Sequence, residues 1–145
     1  MRKGYTTGTC AAIAGKAAAR MIFEQEKVKR EFIVTPSGTR VEVDISDADF
    51  EKNKAKCAVK KDAGDDPDCT DGIMIYAEVC LKKEKEINID GGVGIGRVTK
   101  KGLWQKIGQA AINKVPMMMI KSAVGQIFDE YGYGFGADII ISAPE

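Results

Sequence analysis

A chain of 145 residues with 44% hydrophobic residues is the size of one domain with a core of its own, and 22 basic against 21 acidic residues (net charge +1) argue against a protein built to grip nucleic acid. Histidine is absent, which excludes Ser-His-Asp and Cys-His mechanisms and leaves proton transfer to carboxylates, Lys, Tyr, Cys, backbone groups or water. No apolar run approaches the roughly 18 residues of a membrane span, and the Thr/Gly/Ala-rich start is no Leu-rich leader, so a soluble, cytoplasmic protein with no membrane partner is expected.

The first element is predicted to be a helix. Thr6, Thr7 and Thr9 offer N-caps before an Ala-rich run, with Cys10, Ala14, Ala17 and Met21 on one face, widened by Ile13 and Ala18; it should fade in the charged run from Glu24 to Glu31. A hairpin follows, Glu31 to Val34 and Arg40 to Ile45, joined by Thr35-Pro36-Ser37-Gly38. Val41, Val43 and Ile45 alternate with Arg40, Glu42 and Asp44, the period of a half-buried strand. Asp47 to Asn53 reads as a polar connection. Lys54 to Lys60 alternates again, with Ala55, Cys57 and Val59 inward. An acidic loop leads to the clearest strand, Ile73 to Leu81, and a short one at Ile87 and Ile89. A glycine-rich loop comes next. The last helix begins near Pro116, a residue suited to a first turn, with Ile120, Ala123, Val124, Ile127, Phe128 and Tyr131 as its stripe. Gly132, Gly134 and Gly136 end it, and Asp138 to Ser142 is a final strand. This order of elements predicts an α+β fold with a mostly antiparallel sheet and packed helices.

Three segments carry the candidate chemistry. In Gly4-Tyr5-Thr6-Thr7-Gly8-Thr9-Cys10, three hydroxyls and two glycines precede a helix, where free N–H groups favour a carboxylate or phosphate; capping alone is the plainer reading. In the acidic loop, five acids fall between Asp62 and Asp71. The spacing fails the EF-hand pattern, while crowded carboxylates raise one another's pKa, so one of them could accept a proton; a solvated turn is the alternative. Gly91-Gly92-Val93-Gly94-Ile95-Gly96-Arg97 does not complete Gly-x-Gly-x-x-Gly and is weak as a dinucleotide signature. It suits backbone lying close to a flat or anionic ligand, with Arg97 able to fork a carboxylate. The cysteines Cys10, Cys57, Cys69 and Cys80 form no Cys-x-x-Cys pair, so no metal site is expected, and Cys57 and Cys80 read as buried thiols. Met117, Met118 and Met119 read as core and surface positions of the last helix.

In their order along nearly the whole chain, these segments resemble the CbiD family. Gly4 to Ala12 is similar to its opening signature, Asp62 to Asp68 to its acidic loop and Gly91 to Lys100 to its glycine loop; Gly102-Leu103, Ala111-Ile112-Asn113, Val115-Pro116 and Met119-Ile120 continue the register. Lys114 stands where the family usually has proline, Met117 and Met118 where it is usually basic, and Asp71 where histidine is common. The resemblance implies a fold like a circularly permuted ribosomal protein S5 domain 2, and the N-terminal domain of a longer enzyme whose C-terminal α/β domain is absent here, so that the chain alone should show no turnover. It implies methyl transfer from S-adenosyl-L-methionine to ring carbon 1 of cobalt-precorrin-5B. Thr6, Thr7, Thr9, Lys60, Gly92, Gly94, Gly96 and Arg97 would then meet the corrin-precursor substrate, helped by Arg2, Lys3 and Lys100, while Asp62 and Asp65 would favour the sulfonium or take a proton. Self-association stays open. Two other readings compete: a nucleotide-phosphate-binding, kinase-like domain, and a non-catalytic binding module.

Overall fold

A computed structural model describes residues 6–61, 72–92 and 112–144. Helix α1 (Thr7–Glu24) starts at the expected threonines. Thr6 is extended, and its Oγ1 accepts the N–H of Thr9 at 3.0 Å. The helix stops where Gln25 turns left-handed and returns its N–H to the Met21 carbonyl, while the Gln25 side chain donates to Ile22 O and Glu51 O. Fourteen of its eighteen residues are buried. The reason is position: α1 packs against a second helix, against the main sheet and against a separate hairpin.

The second helix, α2 (Lys114–Glu130), begins at Asn113 and carries Pro116 in its first turn. Five of the six expected stripe residues, Ile120, Ala123, Val124, Ile127 and Phe128, are buried, whereas Tyr131 falls at the C-cap and is exposed. Small residues on α1 allow close approach. A Cβ on Gly8 would fall 2.7 Å from Pro116 Cβ, and one on Gly15 would fall 3.3 Å from Val124 Cγ2. At the other end Phe23 stacks on Tyr131 with centroids 5.1 Å apart. Gly8 meets the start of α2 and Phe23 its end, so the two helices run parallel with their N-termini together.

The hairpin is β1 (Arg30–Val34) and β2 (Arg40–Asp44), an antiparallel two-stranded sheet of its own. A buried charge cluster fastens it to α1. Arg20 forks the Glu31 carboxylate through Nε and Nη2, at 2.8 and 3.0 Å, and Lys16 Nζ lies 3.5 Å from Glu31 Oε1. Lys16 also donates to Phe32 O at 2.9 Å and sits over the Phe32 ring. The hydrogen bond to Glu31, with the charges of Glu31, Glu130 and Glu24 adding to it, raises the Arg20 pKa against its desolvation. Arg20 Nη1 approaches Glu130 of α2 as well, so one guanidinium ties α1, β1 and α2.

The main sheet contains β3 (Ser46–Phe50), β4 (Lys54–Lys60), β5 (Met74–Lys82), β6 (Ile87–Gly91) and β7 (Gly136–Ser142), in the order β3-β4-β5-β7-β6. Every neighbouring pair is antiparallel except β6 with β7. The expected α+β fold with a mostly antiparallel sheet is therefore present.

Two local expectations are corrected. Asp47 to Asn53 is not a plain connection, because Ser46–Phe50 pairs with β4 across a register shift between Ser46 and Asp49; Asp47 takes up the irregularity with φ of 50°. Cys80 is exposed, since the alternation that turns Ile75, Ala77 and Val79 inward turns residue 80 outward. Cys57 is buried as expected and donates from Sγ to the Ala14 carbonyl at 3.1 Å. Burial, followed by the nearby charge of Glu31, pushes this thiol from its ordinary 9.0 up to about 12. A raised value means that the stability linked to the neutral thiol is complete below about pH 9 and is lost as pH rises toward about 12. In urea unfolding from pH 8 to 11, the stability gap between the protein and Cys57→Ala should narrow with rising pH; a constant gap would contradict the burial effect.

Candidate ligand-binding site

The strand register brings together described residues that flank the acidic and glycine segments. Lys60 pairs with Met74, Tyr76 with Ser142, and Gly91 with Ile141. The end of β4, the start of β5 and the ends of β6 and β7 thus share one end of the sheet. Lys60 is exposed there, and Lys61 and Gly72 close the base of the acidic segment, Gly72 N–H donating to Lys61 O. Gly92 continues from β6 and donates its N–H to Ile141 O at 2.7 Å. A Cβ at Gly92 would fall 2.5 Å from Ser142 Oγ and 3.1 Å from Ile140 Cγ2, so a larger residue there would oblige the Ser142 hydroxyl to turn away.

The helix N-termini open at the same end. A pocket of about 150 Å³ is lined by Thr7, Gly8 and Ala11 of α1, by Pro116 and Ile120 of α2, and by Ile141 of β7. Next to it is a larger cleft of about 790 Å³, bounded by Thr6 to Thr9, by the hairpin turn from Thr35 to Thr39, and by Asn113, Val115, Pro116 and Met119. Neither helix has an acid in its first turn. Thr6 and Thr9 are used by the cap, their hydroxyls 2.9 Å apart, whereas Thr7 is exposed and lines both cavities. Asn113 makes no side-chain cap at the start of α2. Two parallel helices therefore direct free N–H groups and the positive ends of their dipoles toward one hydroxyl-lined cleft, a setting that favours carboxylates.

The Thr35–Thr39 wall and Asn113 were missed as site residues by the sequence reading. Thr35-Pro36-Ser37-Gly38-Thr39 reads as a turn, and its hydroxyls do serve it: Thr35 Oγ1 accepts Thr39 N–H at 3.1 Å. The density of hydroxyls matching that of the first segment was the available signal. Asp62, Asp65, Gly94, Gly96 and Arg97, with Arg2, Lys3 and Lys100, lie outside the described residues. Among the described residues no helix is long and apolar enough to cross a membrane.

These features define an α+β domain that gathers two helix N-termini and the ends of β4, β6 and β7 at one end of a mostly antiparallel sheet. The chain belongs to the CbiD family, whose sequence model matches residues 1–145. It is 49% identical over 145 residues to a cobalt-precorrin-5B C(1)-methyltransferase of Ruminiclostridium cellulolyticum, covering all of this chain and 38% of that protein. It is 45% identical over 144 residues to the protein of the same name from Tolumonas auensis, covering 99% of this chain and 37% of that one. The crystal structure of cobalamin biosynthesis protein (cbiD) from Archaeoglobus fulgidus, 29% identical, matches 97% of this chain and 44% of its own with a TM-score of 0.66. This chain thus spans less than two-fifths of the length of these two curated relatives.

Proposed function

We propose that this chain is the N-terminal, substrate-gripping part of a cytoplasmic enzyme that transfers a methyl group from S-adenosyl-L-methionine to ring carbon 1 of cobalt-precorrin-5B. The observation that carries the reading is the shared end of the sheet, where two acid-free helix N-termini and a hydroxyl-rich turn face one cleft. A corrin precursor is a flat ring with a rim of acetates and propionates. Backbone N–H groups and hydroxyls can hold such a rim without a fixed lysine at every carboxylate. The chemical step needs the two reactants aligned and water excluded more than it needs covalent help from protein.

The described lining suits the acceptor and not the donor. It contains no carboxylate, and a sulfonium with an ammonium group calls for anions. We assign the described cleft to the corrin alone. Asp62 and Asp65, which lie between Lys61 and Gly72 in the sequence, are the groups we assign to the cationic partner or to the departing proton. Gly94, Gly96 and Arg97, beyond Gly92, we assign with Lys60 to the carboxylate rim.

Thr7→Val tests the assignment, because it removes one exposed hydroxyl while keeping the side-chain shape. In methyl transfer followed by mass spectrometry with the whole protein, KM for the corrin should rise about fivefold, corresponding to roughly 1 kcal/mol for one lost hydrogen bond. The melting temperature should stay unchanged. An unaltered KM would remove Thr7 from the site.

A further inference from the structure

The carboxylate-binding cleft does not end at Met119. Pro36, Val115 and Met119 also belong to a second groove of about 340 Å³ between β1 and α2, whose remaining walls include Ile33, Val34 and Met118. The large hydrophobics exposed among the described residues are few, and three of the six meet here: Val34 is 60%, Val115 55% and Met118 58% exposed. Exposed apolar surface gathered in a concave site, continuous with a polar one, is the pattern of a ligand with an apolar body and a polar edge.

We infer that this groove seats the apolar face of the macrocycle, with its acidic rim turned toward the two helix N-termini. The inference rests on the corrin reading above and adds the orientation of the ring. Val34 and Pro36 of the hairpin form one wall, and Val115 and Met118 of α2 the other. Unbranched methionine adapts to a ring edge that rigid side chains would meet poorly. The hydroxyls of Thr35 to Thr39 lie on the cleft side of the same hairpin and Val34 on the groove side, so one turn serves both parts of the ligand.

The test is calorimetric titration of the protein with cobyrinic acid, a corrin bearing seven carboxylates, and with its heptamethyl ester. Met118→Glu places a charge against the apolar face and should weaken both probes by about tenfold or more. Val34→Glu, from the opposite wall, should do the same. Both positions are exposed, so the melting temperature should barely change, and either variant suffices if the other fails to fold. Wild-type affinity for cobyrinic acid in both variants overturns the seat while leaving the corrin reading intact. No binding of either probe by the unsubstituted protein overturns the corrin reading, and the seat with it. A loss confined to cobyrinic acid, with the ester unaffected, reports repulsion at the rim and also overturns the seat.

Discussion

Glu31→Ala is expected to lower the free energy of unfolding by about 3–5 kcal/mol, as does removal of one partner from a buried ion pair. Glu31 is 3% exposed and is the shared acceptor of Arg20 and Lys16. Without it, the ammonium of Lys16, itself 5% exposed, keeps among the described residues the Phe32 carbonyl and ring. Arg20 is less affected, because Glu24 and Glu130 remain within 3.5 Å. Lys16→Met in the same background should restore part of the loss, since it removes the stranded charge and keeps the stem. Chemical denaturation of the two single variants and the double variant measures this. Additive losses would show that Lys16 and Glu31 are not coupled. The consequence for the site is direct, because β1 carries the hairpin turn that walls the cleft.

Gly136→Ala is the second large effect. A Cβ there would lie 1.9 Å from the Glu86 carbonyl oxygen and 2.6 Å from that of Glu84, both of them backbone atoms that cannot swing aside. Gly136 opens β7, which pairs with β5 on one side and β6 on the other, and the Tyr133 hydroxyl lies 2.8 Å from Lys82 O and 3.0 Å from Gly136 O. A loss of about 3 kcal/mol is expected, at the upper end for forced overpacking, together with loss of protection from hydrogen exchange along β6 and β7. Unchanged stability would mean that the approach of β7 to the segment before β6 is not fixed. Gly125, with nothing within 4 Å of its added Cβ, is the control: Gly125→Ala should not destabilise.

Local patterns made the elements legible in the sequence. Alternation marked β4 and β5, the threonines marked the start of α1, and the apolar stripe marked α2. What failed was information carried by neighbours. Ser46–Phe50 has polar residues at alternate positions and becomes a strand because β4 offers it an edge. The near-complete burial of α1 depends on being covered from three sides, which an Ala-rich run permits but does not announce. Gly136 looked like a helix breaker and is required by a backbone fifty residues earlier. At the site, the first threonine segment was legible from its position before a helix. Its partner, the start of α2, was not, because nothing in Asn113-Lys114-Val115-Pro116 indicates that α2 runs parallel to α1 and opens beside it. Gly92 suggests room for a ligand from sequence alone, while the structure also puts it close against the Ser142 side chain of β7.

Thermal unfolding of the protein with cobyrinic acid or ATP added separately tests the central claim most directly, because only a ligand of the folded state stabilises it by mass action. At about a hundredfold excess over its Kd, cobyrinic acid should add about 2.7 kcal/mol of stability, and ATP should leave the transition where it is. Stabilisation by ATP with none from the corrin would contradict the account, and would mean that the paired helix N-termini hold a phosphate.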